Sequence, residues 1–173
     1  MHWERLTTSG RPVYAEAMDL YRASFPSHEQ REEAAQRELM GHPEYHFNLI
    51  YEEERLAGLL LCWETERFLY VEHFCIHPLF RGRGYGQRAL EMLRERGLPV
   101  ILEIDPPVDA VARRRRAFYE RAGYQANPFE HVHPPYHRDC RGHALMVLSQ
   151  PRRLTGEEYA DFQRYLTETV MGG

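Results

Sequence analysis

The feature that most constrains this chain is Arg81-Gly82-Arg83-Gly84-Tyr85-Gly86, because of what lies on either side of it. Before it, Arg67 to Ile76 is apolar on both alternating faces, with Phe68, Tyr70, Phe74 and Ile76 on one and Leu69, Val71 and Cys75 on the other. That pattern predicts a central strand buried on both sides. After it, Ala89, Leu90, Met92 and Leu93 form one apolar stripe of a helix ending at Gly97, and Pro99 to Ile104 reads as a second buried strand. Gly84 and Gly86 have no side chains to hold off a ligand. The backbone amides of this turn can therefore approach phosphate oxygens directly, while the helix offers the positive end of its dipole. Arg81 and Arg83 add positive charge.

The rest of the chain extends the same α/β alternation. A strand is expected at His2 to Leu6 and a helix from Arg11 to Phe25, ended by Pro26. A charged helix follows from Glu29 to Met40, broken at Gly41-His42-Pro43. Phe47 to Glu52 and Leu56 to Glu64 form an antiparallel hairpin across Glu53-Glu54-Arg55. Asp109 to Ala122 is a helix stopped by Gly123, Tyr124 to His133 is extended, and Ala144 to Ser149 closes the sheet. Thr155-Gly156-Glu157-Glu158 is a capping-box pattern opening a helix whose Tyr159, Phe162, Leu166 and Val170 share one face. The expected fold is α/β (α+β). A single domain over residues 1–150 carries a central mixed, mostly antiparallel twisted sheet of about six to seven strands flanked by helices. Residues 151–173 add a C-terminal helical extension packed on the same domain.

At 173 residues the chain has the length of one domain. Its 26 acidic residues outnumber 22 basic ones, all of them Arg, which argues against a nonspecific nucleic-acid binder. Arg113 to Arg116 do not change this, because four consecutive helical residues point around most of the circumference. Cys62, Cys75 and Cys140 are too widely spaced for a disulfide framework or a CxxC metal site, and the first two read as core residues. His131 and His133 share a strand face and His137 follows, but Pro134-Pro135 intervenes and no further ligand is identifiable, so no metal is expected. Met1-His2-Trp3-Glu4-Arg5 lacks the form of a signal peptide and no apolar run approaches a membrane span. The expected address is cytoplasmic, with no membrane partner.

The glycine turn is not a dinucleotide fingerprint, which needs G-x-G-x-x-G after the first strand, and it is not a G-x-x-x-x-G-K-[ST] loop, since Lys is absent. Instead, Ile76-His77-Pro78-Leu79-Phe80-Arg81-Gly82-Arg83-Gly84-Tyr85-Gly86 resembles the acetyl-CoA motif of the GNAT superfamily, R/Q-x-x-G-x-G/A after a strand and a Pro. Ala117-Phe118-Tyr119-Glu120-Arg121-Ala122-Gly123-Tyr124 is similar to that superfamily's A-x-Y-E-x-x-G-F, with Tyr124 in place of Phe. The resemblance runs from about residue 2 to 149 and leaves the C-terminal helix outside. It implies acetyl-CoA as cosubstrate. The amides around Phe74, Cys75 and Ile76 would meet the pantetheine arm. Arg81, Gly82, Arg83, Gly84, Tyr85, Gly86 and Gln87 would cradle the pyrophosphate. Pro106-Pro107-Val108-Asp109 departs from the commoner Asn-containing loop, so contacts to the outer part of CoA do not carry over.

Acetyl transfer from a thioester to an amine needs a free amine, a stabilised oxyanion and a proton for the departing thiolate. The resemblance makes Tyr119 the general acid. Glu72, inside the central strand, and Glu103, within VILEI, both match positions where members carry a base; Glu72 ranks first, with burial expected to raise its pKa. His73 alternates with Glu72 and is expected on the opposite face, toward a helix. Glu29 and Arg31, together with His133, Tyr136 and Arg138 of the later loop, suit an acceptor pocket. The expected function is N-acetyl transfer to a primary amine of a small molecule, amino acid derivative or peptide. A catalytically silent acyl-CoA-binding sensor is the alternative, and a homodimer stays open.

Overall fold

Apolar residues on both faces bury β3 (Arg55–Glu64) almost from end to end, and the sheet of the first half grows around it. The computed structural model describes residues 1–172, whose contacts gather into one unit from Met1 to Leu98 and another from Pro99 on. In the first unit, β1 (His2–Leu6), β2 (Tyr45–Glu52), β3 and β4 (Leu69–Ile76) lie side by side in that order, all antiparallel. The β2–β3 hairpin turns at Glu53, whose φ is 55°. Helix α1 (Val13–Ser24) buries Tyr14, Ala17, Met18, Leu20 and Tyr21. Helix α3 (Tyr85–Arg94) buries Ala89, Leu90 and Leu93, the predicted stripe without Met92.

Two local expectations fail in the first unit. The charged helix begins at Glu33, as α2 (Glu33–Leu39), and Ser27–Glu29 forms only a 3-10 turn before an extended Gln30. Tertiary hydrogen bonds claim the backbone groups that a longer helix would use. His73 Nε2 meets the Glu29 carbonyl at 2.8 Å, and the Arg31 amide donates to the Tyr21 hydroxyl at 3.0 Å. The second correction concerns β4, where Leu61 faces His73 but Cys62 faces Val71, leaving Glu72 as the extra residue of a β-bulge. A bulge interrupts alternation and re-aims side chains. His73 therefore does not leave Glu72 on the opposite face; its Nδ1 lies 3.8 Å from Glu72 Oε1.

In the second unit, β8 (His143–Gln150) pairs antiparallel with β5 (Val100–Ile104), β6 (Gln125–Ala126) and β7 (His131–His133). The stretch expected to be one extended segment is thus two short strands, which raises the strand count among the described residues to eight. Asn127 occupies the break and bridges it, donating to Val147 O at 3.2 Å and Ser149 Oγ at 2.9 Å and accepting from the Leu154 amide at 2.8 Å. Helix α4 (Ala110–Arg121) is capped by Asp109, whose carboxylate accepts from the Ala112 amide at 2.8 Å. Helix α5 (Gly156–Tyr165) opens with the predicted capping box and continues as a π turn over Leu166–Val170. Its apolar face is packed: Tyr159 stacks on Phe129 at 4.1 Å and Phe162 on His131 at 5.9 Å. Cys62 and Cys75 are buried. No helix among the described residues is long and apolar enough to cross a membrane.

Candidate functional site

The glycine turn is built from the end of β4. His77 accepts the Leu79 amide at 3.3 Å and starts a 3-10 turn, which buries Phe80. Arg55 sits over the Phe80 ring and Tyr85 packs edge-on against it at 5.4 Å. From that anchor the backbone passes through left-handed conformations at Gly82 (φ 72°) and Gly84 (φ 79°), the latter opening α3. A Cβ at either position would meet nothing within 4 Å, so conformation rather than crowding demands glycine, and the space above the turn is open. Gly84 supplies no side-chain cap, which leaves the first amides of α3 to an external acceptor. Arg83 and Arg81 are exposed beside them, with Arg81 Nε donating to the Ile76 carbonyl at 2.9 Å. This turn fits a pyrophosphate.

Register decides which backbone groups at the end of β4 are turned toward β3. His77 N–H bonds Ala57 O at 2.8 Å, so by antiparallel alternation the next narrow pair is Leu59 with Cys75. The Cys75 amide is therefore committed to β3, whereas the backbone groups of Phe74 and Ile76 turn to the other side of β4.

Glu72 lies in a dense polar cluster of the first unit. Its side chain is 0% exposed; Arg31 Nε reaches Oε1 at 2.8 Å and the Trp63 indole N–H reaches Oε2 at 2.7 Å. His73 packs against Tyr21 at 5.0 Å and Phe25 at 4.7 Å, facing α1 as expected. The expectation of a raised carboxyl is overturned. Burial does push Glu72 upward, but the Arg31 charge, with His73 and the Trp63 and Arg31 hydrogen bonds, holds it down at about 2. Arg31, only 8% exposed, uses its Nε to hold this carboxylate. Glu29 offers its carbonyl to His73 and its carboxylate lies 3.6 Å from His28.

The second unit holds the other candidates. Tyr119 lies on the buried side of α4, edge-on to Tyr124 at 5.6 Å, and desolvation pushes its phenol up to about 12. Tyr124, the residue that departs from the motif, buries its hydroxyl without a hydrogen-bond partner, and burial raises it further still. Glu103, 5% exposed in its side chain, is hydrogen-bonded through Oε1 to His131 Nε2, and His133 Nε2 stands 3.9 Å from Oε2. His131 Nδ1 meets the Tyr159 hydroxyl at 2.9 Å. His133 and Tyr136 stack at 5.0 Å, and Arg138 follows on the same loop, exposed. The arginine run is dispersed: Arg115 pairs with Asp105, Arg116 with Glu120, and Arg113 reaches the Val108 carbonyl.

Sequence reasoning passed over Trp63, Tyr21 and Tyr159. Tyr159 was visible only as part of an apolar stripe, and His131 only as a metal candidate. The alternation that puts His131 and His133 on one buried face, with Val132 56% exposed, was the available signal.

The chain is similar to known acetyltransferases in sequence and fold. The model of the acetyltransferase (GNAT) family matches residues 12–124, well over half of the chain. A GNAT-family protein from Bacteroides thetaiotaomicron is similar in structure with a TM-score of 0.92 and 31% identity, covering 100% of this chain and 99% of that one. The ribosomal-protein-S18-alanine N-acetyltransferase of Escherichia coli shares the fold at a TM-score of 0.57 and 16% identity, covering 90% and 96% of the two chains. An aminoglycoside 6'-N-acetyltransferase complexed with coenzyme A does so at 0.62 and 17%, covering 88% and 99%. The Bacillus subtilis protein YjbC is 23% identical over 103 residues, which is 58% of this chain. The match spans 52%, about half, of that curated relative's length.

Proposed function

We propose, for a chain that belongs to the acetyltransferase (GNAT) family, that it moves an acetyl group from acetyl-CoA to a primary amine of a small molecule, amino acid derivative or peptide. The observation that carries this is the glycine turn, in which two left-handed glycines open an uncapped ten-residue helix beside Arg81 and Arg83. Acetyl-CoA supplies an activated thioester. Its pyrophosphate would be held by the amides and side chains from Arg81 to Gln87, and its pantetheine arm by the backbone of Phe74 and Ile76.

Glu103 takes the role of general base in this proposal. It accepts one proton from the substrate ammonium, leaving the nitrogen lone pair to attack the acetyl carbonyl. The new C–N bond forms as the C–S bond breaks with its electron pair on sulfur. Tyr119, held protonated through the neutral range by burial, donates its proton to that sulfur and recovers one as the amide nitrogen sheds its second. One ammonium and one thioester become one amide, one thiol and one released proton. Glu72 has a different part: a carboxylate held near 2 by an Arg is a poor proton acceptor at neutral pH, so it anchors Arg31 and Trp63. His133, Tyr136 and Arg138, with Glu29, are the acceptor-binding candidates.

The test is a panel of primary amines incubated with acetyl-CoA and followed by thiol release. Release that depends on both substrates, with an acetylated amine as product, is expected. Tight acetyl-CoA binding with no release for any amine would contradict the proposal and favour a silent sensor.

A further inference from the structure

The C-terminal helix lies outside the sequence motifs, yet it delivers a phenol to the carboxylate proposed as base. Helix α5 starts at a rigid capping box and projects Tyr159 onto Phe129, with its hydroxyl 2.9 Å from His131 Nδ1 and 3.2 Å from the Glu130 carbonyl. The other nitrogen of the His131 ring bonds Glu103. Phe162, one turn further along α5, stacks on the same ring, so the helix fixes both the plane of the imidazole and one of its nitrogens. The His131 side chain is 0% exposed. Bulk water therefore does not reach either ring nitrogen.

We propose that His131 is a positioning residue for Glu103, and that Tyr159 of the C-terminal helix sets its orientation. This rests on the reading of Glu103 as the base. The hydrogen inventory supports it. With His131 neutral, the Tyr159 O–H donates to Nδ1 and the Nε2–H donates to the Glu103 carboxylate. If the Glu103–His131 pair holds one more proton, both ring nitrogens donate, and the Tyr159 hydrogen turns to the Glu130 carbonyl. The Tyr159 hydroxyl, both His131 ring nitrogens and Glu103 Oε1 keep a hydrogen-bond partner in both states, so the pair can gain the substrate's proton without breaking this relay. The ammonium nitrogen loses that proton and keeps the electron pair.

His133 on β7 faces the second oxygen of Glu103 at 3.9 Å, with its own Nδ1 tied to the Pro134 carbonyl at 2.6 Å. Val147 of β8 stands opposite Glu103 in register. Two residues further along β5, Asp105 pairs with His143 of β8 at 3.4 Å and with Arg115 of α4 at 2.8 Å.

The test compares pH–rate profiles of wild type, H131L, H131Q and Y159F on an amine that the wild type acetylates. H131L removes the donor to Glu103, so kcat is expected to fall about tenfold at neutral pH and the acid limb to move about one unit upward, with KM for acetyl-CoA unchanged. H131Q restores an N–H at that position and should recover most of both. Y159F should show the same changes to a smaller degree. A folded H131L with wild-type kcat and an unmoved acid limb would overturn the proposal. So would the absence of a solvent-protected ring N–H signal for His131 in the NMR spectrum of the full chain, a readout that needs no acceptor. A wild type that acetylates no amine, yet shows that signal and loses it in E103L, would sink the acetyl-transfer reading while keeping the His131–Glu103 contact.

Discussion

Glu72 and Glu103 are both strand carboxylates withdrawn from water, one in each unit, and they differ in what answers their charge. Glu72 is met by a permanent cation, Arg31, and by the Trp63 indole N–H. Glu103 is met by an imidazole that can carry a proton or release it. The first arrangement holds a carboxylate ionised, whereas the second is the one we propose takes up the substrate's proton. Burial alone therefore does not separate the two carboxylates; the chemistry of the partner does, and on that difference the proposed base is Glu103.

The largest effect that would sharpen this contrast is on stability. R31A removes the permanent cation that answers the buried Glu72 charge, and should cost about 3–5 kcal/mol in urea unfolding. The double variant R31M/E72L, of similar volume, should recover most of that loss and retain turnover. Loss of turnover in a well-folded R31M/E72L would return the base role to Glu72. Next in size, Y119F is expected to lower kcat about a hundredfold while acetyl-CoA affinity, measured by calorimetry, stays within about twofold. Unchanged turnover would remove Tyr119 as the acid.

The pH dependence of stability follows from Glu72. Its folded value of about 2 lies below the ordinary 4.5, so the folded state binds fewer protons than the unfolded one. The stability it contributes is complete above about 4.5 and is lost as pH falls toward 2. Urea midpoints measured across that window should decline in the wild type and decline less in R31M/E72L. The smallest expected effect is in the second unit. Y124F removes a buried hydroxyl that has no hydrogen-bond partner and should stabilise the protein by about 1 kcal/mol. A destabilised Y124F would mean that the hydroxyl has an undetected use.

What was legible in the sequence was local. The left-handed glycines before α3, the Asp109 and Thr155 caps and the alternation of His131 with His133 each depend on a few neighbouring residues. The partners of the two carboxylates do not. Arg31 and Glu72 are 41 residues apart, and His131 and Glu103 are 28 apart, so their pairing depends on strand register and on tertiary hydrogen bonds. The bulge at Glu72 depends on how β3 and β4 align, which is why simple alternation set Glu72 and His73 on opposite faces. The shortened α2 has the same cause, since His73 and Tyr21 draw the Glu29–Arg31 backbone away from helix.

The proposed base role of Glu103 is tested most directly by kcat for E103Q beside R31M/E72L, measured with the same acetylated amine and with acetyl-CoA affinity checked for both. E103Q is expected to lose about a hundredfold or more in kcat with near-normal acetyl-CoA binding, while R31M/E72L stays within a few-fold of wild type. A fully active E103Q beside a folded but inactive R31M/E72L would contradict it.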